Sequence, residues 1–535
     1  MIRMSKKRWA IIAAAALATL AASAFVEVSA AAPNSTSVTL RLTSDFGNFD
    51  IQTQALYASS VINNATGDYL IWYDTRTKKY VPYLAKSWVA TPSKITFTIR
   101  SGARCPNGDP ITAQVVANSF VRLVRSKVGG VAFGIFGAGP FSVHWRGNKF
   151  TFSTATPDSG MLYGFAQTGS TIICPQGLAA LQSNPAALAT TTYGSGPYQV
   201  VSAVHGQQIV LQKRPDWNWG PEGITAKDLP DTITYKIVPD ETTAANLLET
   251  GGLDIGLVTG PDVVRLFKDK QRLQLRVGVQ AGALMLSMNQ RPGHITDDVV
   301  IRHAIALAVS ELDSIKGALA GQAEFTNTYF SQEQPCYWKG ANALHPRGSV
   351  SAAQSYLLAN GYTLSGGQLM KNGQPVPLTL LASNSQYGTT GEYLQSVLSQ
   401  VGFKVNFVLQ DYTVFAVSTF SGNWDVVTAG GTRSSLFTNA GLPYYSGQAP
   451  PLGLNLGGTG LTTPAYQQAI DAVNRAPLST RCDAIKKLQQ VIAANYIIEP
   501  LGVQTNDYFG NRQTVASFSV GTLLASADPR LIRMR

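Results

Sequence analysis

Residues 233–255 constrain the fold of this chain more than any other stretch. Ile233–Val238 is a β-branched, alternating run. Asp240 then stands where a helix N-cap belongs, Glu241–Thr250 has helical composition, and Gly251-Gly252 ends it before Leu253-Asp254-Ile255. An N-terminal Asp accepts a free backbone N–H of the first turn, and glycine adopts the left-handed conformation that closes the last one. Strand, capped helix and strand at this spacing form a crossover unit. Such a unit needs a sheet with parallel strands and a helical layer over it.

The same two periodicities recur along the chain. Val38–Thr43 reads as a strand running into the turn-rich loop Ser44-Asp45-Phe46-Gly47-Asn48. Open α/β sheets bind ligands in such loops, at the carboxyl ends of their strands. Ile95–Arg100 is a clean alternating strand, Pro106-Asn107-Gly108-Asp109-Pro110 a tight turn, and Thr112 the cap of a helix from Ala113 to Arg125. Gly129–Pro140, rich in Gly and Phe, reads as a loop. Phe141–Trp145 with Lys149–Ser153, and Tyr198–Ala203 with Gln208–Lys213, read as strand pairs. Leu284–Asn289 is apolar, and Asp297-Asp298 opens a helix from Val299 to Val309. Helices are expected over 351–360 and 392–401, closed by Gly361 and Gly402, and again over 464–473 and 481–495. Strands are expected over 405–409 and 424–428, and the tail from Tyr508 reads as short strand and loop. No internal repeat is evident. The pattern suits two α/β lobes with an inserted β-rich subdomain.

At 535 residues the chain exceeds what one hydrophobic core usually spans. Arg3, Lys6, Lys7 and Arg8, the Ala-rich apolar stretch Trp9–Phe25 and the small residues Val28-Ser29-Ala30 read as a secretory signal peptide over 1–30. No Cys adjoins that site, so a lipid anchor is not expected, and no spanning apolar run follows it. Cleavage would remove four cations and one anion, taking the net charge from +11 to +8. With 14% charged residues and no basic cluster, nucleic-acid binding is not expected. In an exported chain, Cys105, Cys174, Cys336 and Cys482 read as two disulfides, with three pairings open. No CxxC favours a metal instead.

Motifs for chemistry are missing. His144, His205, His294, His303 and His345 are scattered without HExxH, and Gly194-Ser195-Gly196 lacks the spacing of a nucleophile elbow. There is no phosphate-binding loop, and no cofactor is expected. Asp45, Asp254, Asp411 and Asp425 supply carboxylates for a hydrolase alternative, but nothing in the sequence pairs them. A binding cleft asks for aromatic walls, for which Tyr57, Tyr69, Trp72, Trp338, Tyr387, Trp424 and Phe437 are candidates.

Several stretches, in order, carry a family resemblance. Val81-Pro82-Tyr83-Leu84-Ala85-Lys86-Ser87-Trp88 is similar to "VPxLAxSW". Ile95–Arg100 with Gly102–Val116 resembles "TFxLRxGxxxxDGxPxTAxDV", with Asn107 in place of Asp and Gln114 in place of a helix-start acid. Gly194-Ser195-Gly196-Pro197-Tyr198 resembles "GTGPY", Pro215-Asp216-Trp217-Asn218-Trp219 "NPDYW", and Ile237–Ile255 a segment ending "GExDI". Leu286–Ala308 keeps Asn289, Arg302, Ala304 and Ala308 of a longer pattern. The chain thereby resembles the extracytoplasmic substrate-binding proteins of ABC importers, family 5, the oligopeptide/dipeptide/nickel class.

That resemblance implies a two-lobed α/β fold with a ligand cleft between the lobes, no enzymatic step, and a monomer in the periplasm that delivers a peptide or similar polar solute to membrane permease subunits. It implies lobe I from 31–75, 190–280 and 505–535, an inserted subdomain over 76–189, and lobe II over 281–504. Cys105–Cys174 and Cys336–Cys482 are then the favoured pairs, each within one lobe. The ligand is expected to meet Ser44, Asp45, Phe46, Tyr387, Gly430, Thr432, Arg433 and Phe437. Peptide-binding relatives place an aromatic residue where this chain has Gly431, and an acid beyond it where this chain has Arg433. Their carboxylate-binding Arg has no counterpart in Ser383–Gln386. An oligosaccharide or another non-peptide solute stays open.

Overall fold

Ser37–Leu42 alternates apolar and polar side chains and forms the first strand, β1, with Val38, Leu40 and Leu42 buried. The computed structural model describes residues 36–53, 57–74, 77, 79–125, 131–136, 139–259, 262–279, 283–309, 323–324, 336–344, 348–384, 389–429, 446–449, 455–521 and 526–535. The central sheet continues with β2 (Tyr198–Val204), β3 (Gln208–Lys213), β4 (Thr232–Ile237), β5 (Ile255–Val258), β6 (Leu273–Val279) and β7 (Leu284–Met288). It is completed by β8 (Ala323–Glu324), β9 (Pro377–Ser383), β10 (Lys404–Gln410), β11 (Val426–Ala429) and β12 (Ile498–Asn511). In space the order is β10-β9-β11-β7-β12-β5-β1-β4-β3-β2, with β6 and β8 also pairing with β12.

The expected crossover is present, but its strands are not neighbours. Helix α1 (Glu241–Thr250) leads from β4 to β5, and β1 lies between them, parallel to both. Asp240 caps α1 by accepting from the Thr243 N–H at 2.7 Å, and Gly251 closes it at φ 79°. The second half of the chain repeats the device without repeating the sequence. Helix α2 (Tyr412–Ser421) leads from β10 to β11, with β9 between them and parallel to both. Asp411 accepts from Val414 N–H as Asp240 does from Thr243.

Each triplet is clamped by an aspartate just before its third strand. Asp254 donates its N–H to Thr39 O at 2.8 Å, and its carboxylate accepts the Thr39 N–H at 2.8 Å. Asp425 does the same to Thr379, at 2.9 and 2.8 Å. Asp254 also holds Thr514, and Asp425 holds the His294 ring at 2.9 Å.

β12 is the main departure from the sequence expectation. It is a single strand of 14 residues that begins before Tyr508 and runs through the boundary drawn at 504. Pro500 and Gly502 make the stretch read as broken. In the sheet Pro500 faces Met285 beside a register irregularity between Leu284 and Met285, the kind of place where a strand tolerates proline. The cores divide accordingly. Buried apolar residues between Val38 and Ile255 and between Tyr508 and Ile532 supply one cluster, with a smaller one around Leu248 and Phe509 beside it. Residues 284–501 form a second around Leu286 and Leu380, and residues 283–503 a third around Tyr466 and Leu488.

A separate antiparallel sheet, in the order Ala85–Thr91, Lys94–Ile99, Lys149–Thr154, Phe141–Arg146, belongs to the first cluster. Helix Ala113–Val124 pairs with this sheet and starts at the Thr112 cap. Within 129–140, Val131–Phe136 is a short helix rather than loop. Phe136 is fully buried 4.7 Å from Phe165 and 4.8 Å from Phe152, and this aromatic packing outweighs the glycine content. Disulfides join Cys105 to Cys174 and Cys336 to Cys482.

Side chains also bridge the first and third clusters. Ser159 donates its N–H to Asn474 O and its hydroxyl to Val473 O, both at 2.9 Å, at the end of helix α3 (Pro464–Arg475). Arg481, the first residue of helix α4 (Arg481–Ala494), donates to Ser159 Oγ at 2.8 Å and lies over the Tyr163 ring at 5.5 Å. Burial pushes the neighbouring Asp158 carboxyl up to about 6, against the pull of Arg481 and the Gly160 N–H.

Two predictions follow from these contacts. Asp254→Ala and Asp425→Ala each strand a strand-edge N–H, and urea unfolding should show a loss of roughly 1–3 kcal/mol in each variant; unchanged midpoints would contradict the clamp. Asp158 binds its proton more tightly in the folded chain than in the unfolded one. Its contribution to stability is therefore complete below about pH 4 and fades as pH rises through about 6. Asp158→Asn should make the slope of unfolding free energy against pH less negative between these values, by at most ~1.4 kcal/mol per pH unit. Identical slopes in the two proteins would refute this.

Candidate functional site

Strand register alone locates the site. β5 runs toward its carboxyl end from Ile255, opposite Gly510, to Val258, opposite Asp507. β11 ends at Ala429, opposite Met285, which in turn lies opposite Pro500. The carboxyl ends of both parallel triplets therefore point at the middle of β12, one from each side. Pro500 and Asp507 are about 23 Å apart along an extended strand. Parallel sheets bind ligands beyond their carboxyl ends, and here two such edges face the stretch Val503–Asn506, whose Val503, Thr505 and Asn506 are buried.

Arg41 builds the first edge. Its side chain is fully buried and pairs with Glu241 at 3.0 Å through both terminal nitrogens. It also donates to Val238 O at 2.8 Å, Pro239 O at 2.9 Å and Leu257 O. The second Glu241 oxygen accepts the Thr259 N–H at 2.7 Å. One guanidinium thus ties together the ends of β4 and β5 around β1, with its planar fork matched to a carboxylate. The expected site set missed it, although an arginine inside an apolar alternating strand was a visible signal.

The Ser44–Asn48 loop follows β1 on this edge. Ser44 and Asp45 are exposed. Asp45 accepts from the Phe46 N–H at 2.8 Å and the Gly206 N–H at 2.9 Å, with the His205 ring at 3.3 Å, so it ties the loop to the β2–β3 turn. Phe46 is 3% exposed, stacked on His205 at 4.0 Å and Phe49 at 4.8 Å; in this conformation it packs the loop and presents no open wall. Asp50 pairs with Arg122, anchoring the loop's far end.

On the second edge, β9 and β11 end at Ser383 and Ala429. Tyr387, Gly430, Thr432, Arg433 and Phe437 come next in the chain and lie outside the described residues. Of the other aromatic candidates, Tyr69 and Trp424 are core, Trp424 donating to Thr419 O at 3.0 Å. Tyr57 meets the Tyr508 hydroxyl at 3.2 Å, and burial raises both phenols above their ordinary range. Trp72 lies beside buried Arg530 at 5.0 Å, and Trp338 under Lys486 at 4.8 Å.

The four carboxylates of the hydrolase alternative are not brought together. Asp45 ties a turn, Asp411 caps a helix, and Asp254 and Asp425 clamp strands at the amino ends of β5 and β11. Among the described residues, no group of three or more His, Cys, Asp or Glu is placed to hold a metal. A surface cavity of about 440 Å³, lined by His294, Asp298, Tyr362, Lys371 and Pro377, lies at the amino end of β9, away from the facing edges. No described helix is long and apolar enough to cross a membrane.

Residues 79–451 match the family model described as bacterial extracellular solute-binding proteins, family 5 Middle. The protein named "Probable D,D-dipeptide-binding periplasmic protein DdpA" of Escherichia coli (strain K12) is 26% identical over 255 residues, covering 45% of this chain and 46% of that one. The nickel-binding periplasmic protein of the same strain is 24% identical over 344 residues, covering 61% and 63%. The chain thus spans from under half to under two thirds of the length of these curated relatives. A solved substrate-binding protein from Microbacterium hydrocarbonoxydans, complexed with 4-hydroxybenzoate hydrazide, is 22% identical, with TM-score 0.76 over 94% of this chain and 100% of that one. At that identity the likeness is one of fold, and the fold is the two-lobed one.

Proposed function

The chain belongs to the bacterial extracellular solute-binding proteins, family 5, and from that premise we propose that it is an exported receptor of an ABC importer. It captures a peptide or a similarly sized polar solute between its two lobes and delivers it to membrane permease subunits. The observation that carries this reading is the pair of carboxyl edges facing one shared strand. Among the described residues, β12 pairs with strands of both halves. Halves that share one strand are suited to hinge closure about it. No covalent step is part of the proposal.

The ligand-facing segments on this reading are the Ser44–Asn48 loop, the residues around Tyr387, and 430–437 with Gly430, Thr432, Arg433 and Phe437. Arg433 offers a planar, permanently charged fork for an acidic group on the solute. Two relatives named for a D,D-dipeptide and for nickel point to chemically distinct cargo within one family. Gly431 and Arg433, which depart from the peptide-binding pattern, favour a solute other than a free dipeptide, and an oligosaccharide or other non-peptide compound is the second reading.

Native mass spectrometry of the purified protein should reveal a bound solute that denaturation releases unchanged. Adding the recovered solute back at 100 times its dissociation constant should stabilise the fold by about 2.7 kcal/mol. Turnover of that solute would replace the receptor by a hydrolase.

A further inference from the structure

The two lobes are in contact at a place that their shared strand β12 does not require. Ser159 and Tyr163 belong to the first cluster's side of the molecule, where Met161 and Leu162 are core. Val473, Asn474 and Arg481 belong to the other side, on α3 and α4, which pack around Tyr466 and Leu488. Arg481 is 1% exposed although it stands at a helix start, where an arginine is ordinarily solvated. Its guanidinium enters a hole in the opposite lobe walled by Ser159, Tyr163, Tyr80 and Asp158; Tyr163 and Tyr80 stack at 5.2 Å and Tyr73 backs them at 5.0 Å. Ser159 is the centre of the contact. Its hydroxyl accepts from Arg481 and donates to Val473 O, and its N–H donates to Asn474 O.

The arginine is held firmly from behind. The next residue, Cys482, is tied by its disulfide to Cys336, and Trp338 just beyond lies against Lys486 one turn further along α4. A rotation about β12, which pairs with both halves, displaces groups that lie off that strand. Hydrogen bonds of 2.8–2.9 Å are lost within about 0.7 Å of separation. A buried guanidinium pulled from such a hole gives up both its hydrogen bond to Ser159 and its place over the Tyr163 ring.

We propose that Arg481 is an interlobe latch: opening of the cleft requires its withdrawal from the Ser159–Tyr163 hole, so this contact governs how readily the closed form opens. The proposal rests on the reading of the halves as lobes that open and close.

Its test needs no ligand. Small-angle X-ray scattering is recorded on ligand-stripped wild-type protein, Ser159→Ala and Arg481→Lys, with circular dichroism melts to establish folding. Ser159→Ala removes two side-chain hydrogen bonds on a residue that adds little to either core, so it stays informative if Arg481→Lys fails to fold. The expected result is a shift of the pair-distance distribution toward longer distances in the folded variants, with the open-to-closed ratio raised about tenfold. Folded variants whose curves superimpose on the wild type would overturn the latch and leave the receptor reading intact. Failure to find any bound solute would undercut the receptor reading and leave the scattering comparison unaffected.

Discussion

Everything else in the molecule depends on β12 being shared. Its first residues, from Ile498 to Gly502, complete the sheet of one half by pairing with β7, and its last, from Thr505 to Asn511, complete the other by pairing with β5 and β6. β12 runs antiparallel to β5 and to β7, and β7 runs antiparallel to β11, so β12 runs against the first triplet and along the second, which turns the two triplets head to head. The cleft is a consequence of that geometry. The carboxyl ends of the two triplets are brought together because the same backbone supplies hydrogen-bond partners to both sheets, and a ladder at each end fixes the register.

Within each half the same local solution recurs. An aspartate clamps the third strand to the first, and another caps the crossover helix. Arg41 adds a further tie in the first half, where three carbonyls and Glu241 converge on one buried guanidinium. The four carboxylates that suggest catalysis in the sequence tie a turn, cap a helix and clamp two strands.

Local signals were legible because their physics is local. Asp240, Thr112 and Asp298 cap the helices they were expected to cap, and Gly251 and Gly402 end theirs in the left-handed conformation. The β2–β3 hairpin turns at His205-Gly206 as its residues suggest. What the sequence hid is set by distant partners. β12 was masked by Pro500 and Gly502, which a bulge absorbs. The helix at Val131–Phe136 exists because Phe136 finds an aromatic cluster far along the chain. The place of β1 between β4 and β5 cannot be read from the spacing of one crossover. Of the candidate site, the Ser44–Asn48 loop lies on the expected edge with Phe46 turned into the core, and Arg41 left its signal in an apolar strand; the burial of Arg481, set by partners more than 300 residues away, left none.

The central claim is that solute is held where the two carboxyl edges meet. Hydrogen–deuterium exchange of the protein with its co-purified solute, compared with the stripped protein, tests it most directly. The account predicts that protection appears at the loop after β1, at the end of β5 and along Val503–Asp507. Protection confined instead to the cavity around Asp298 and Lys371, at the amino ends of the second half's strands, would contradict it.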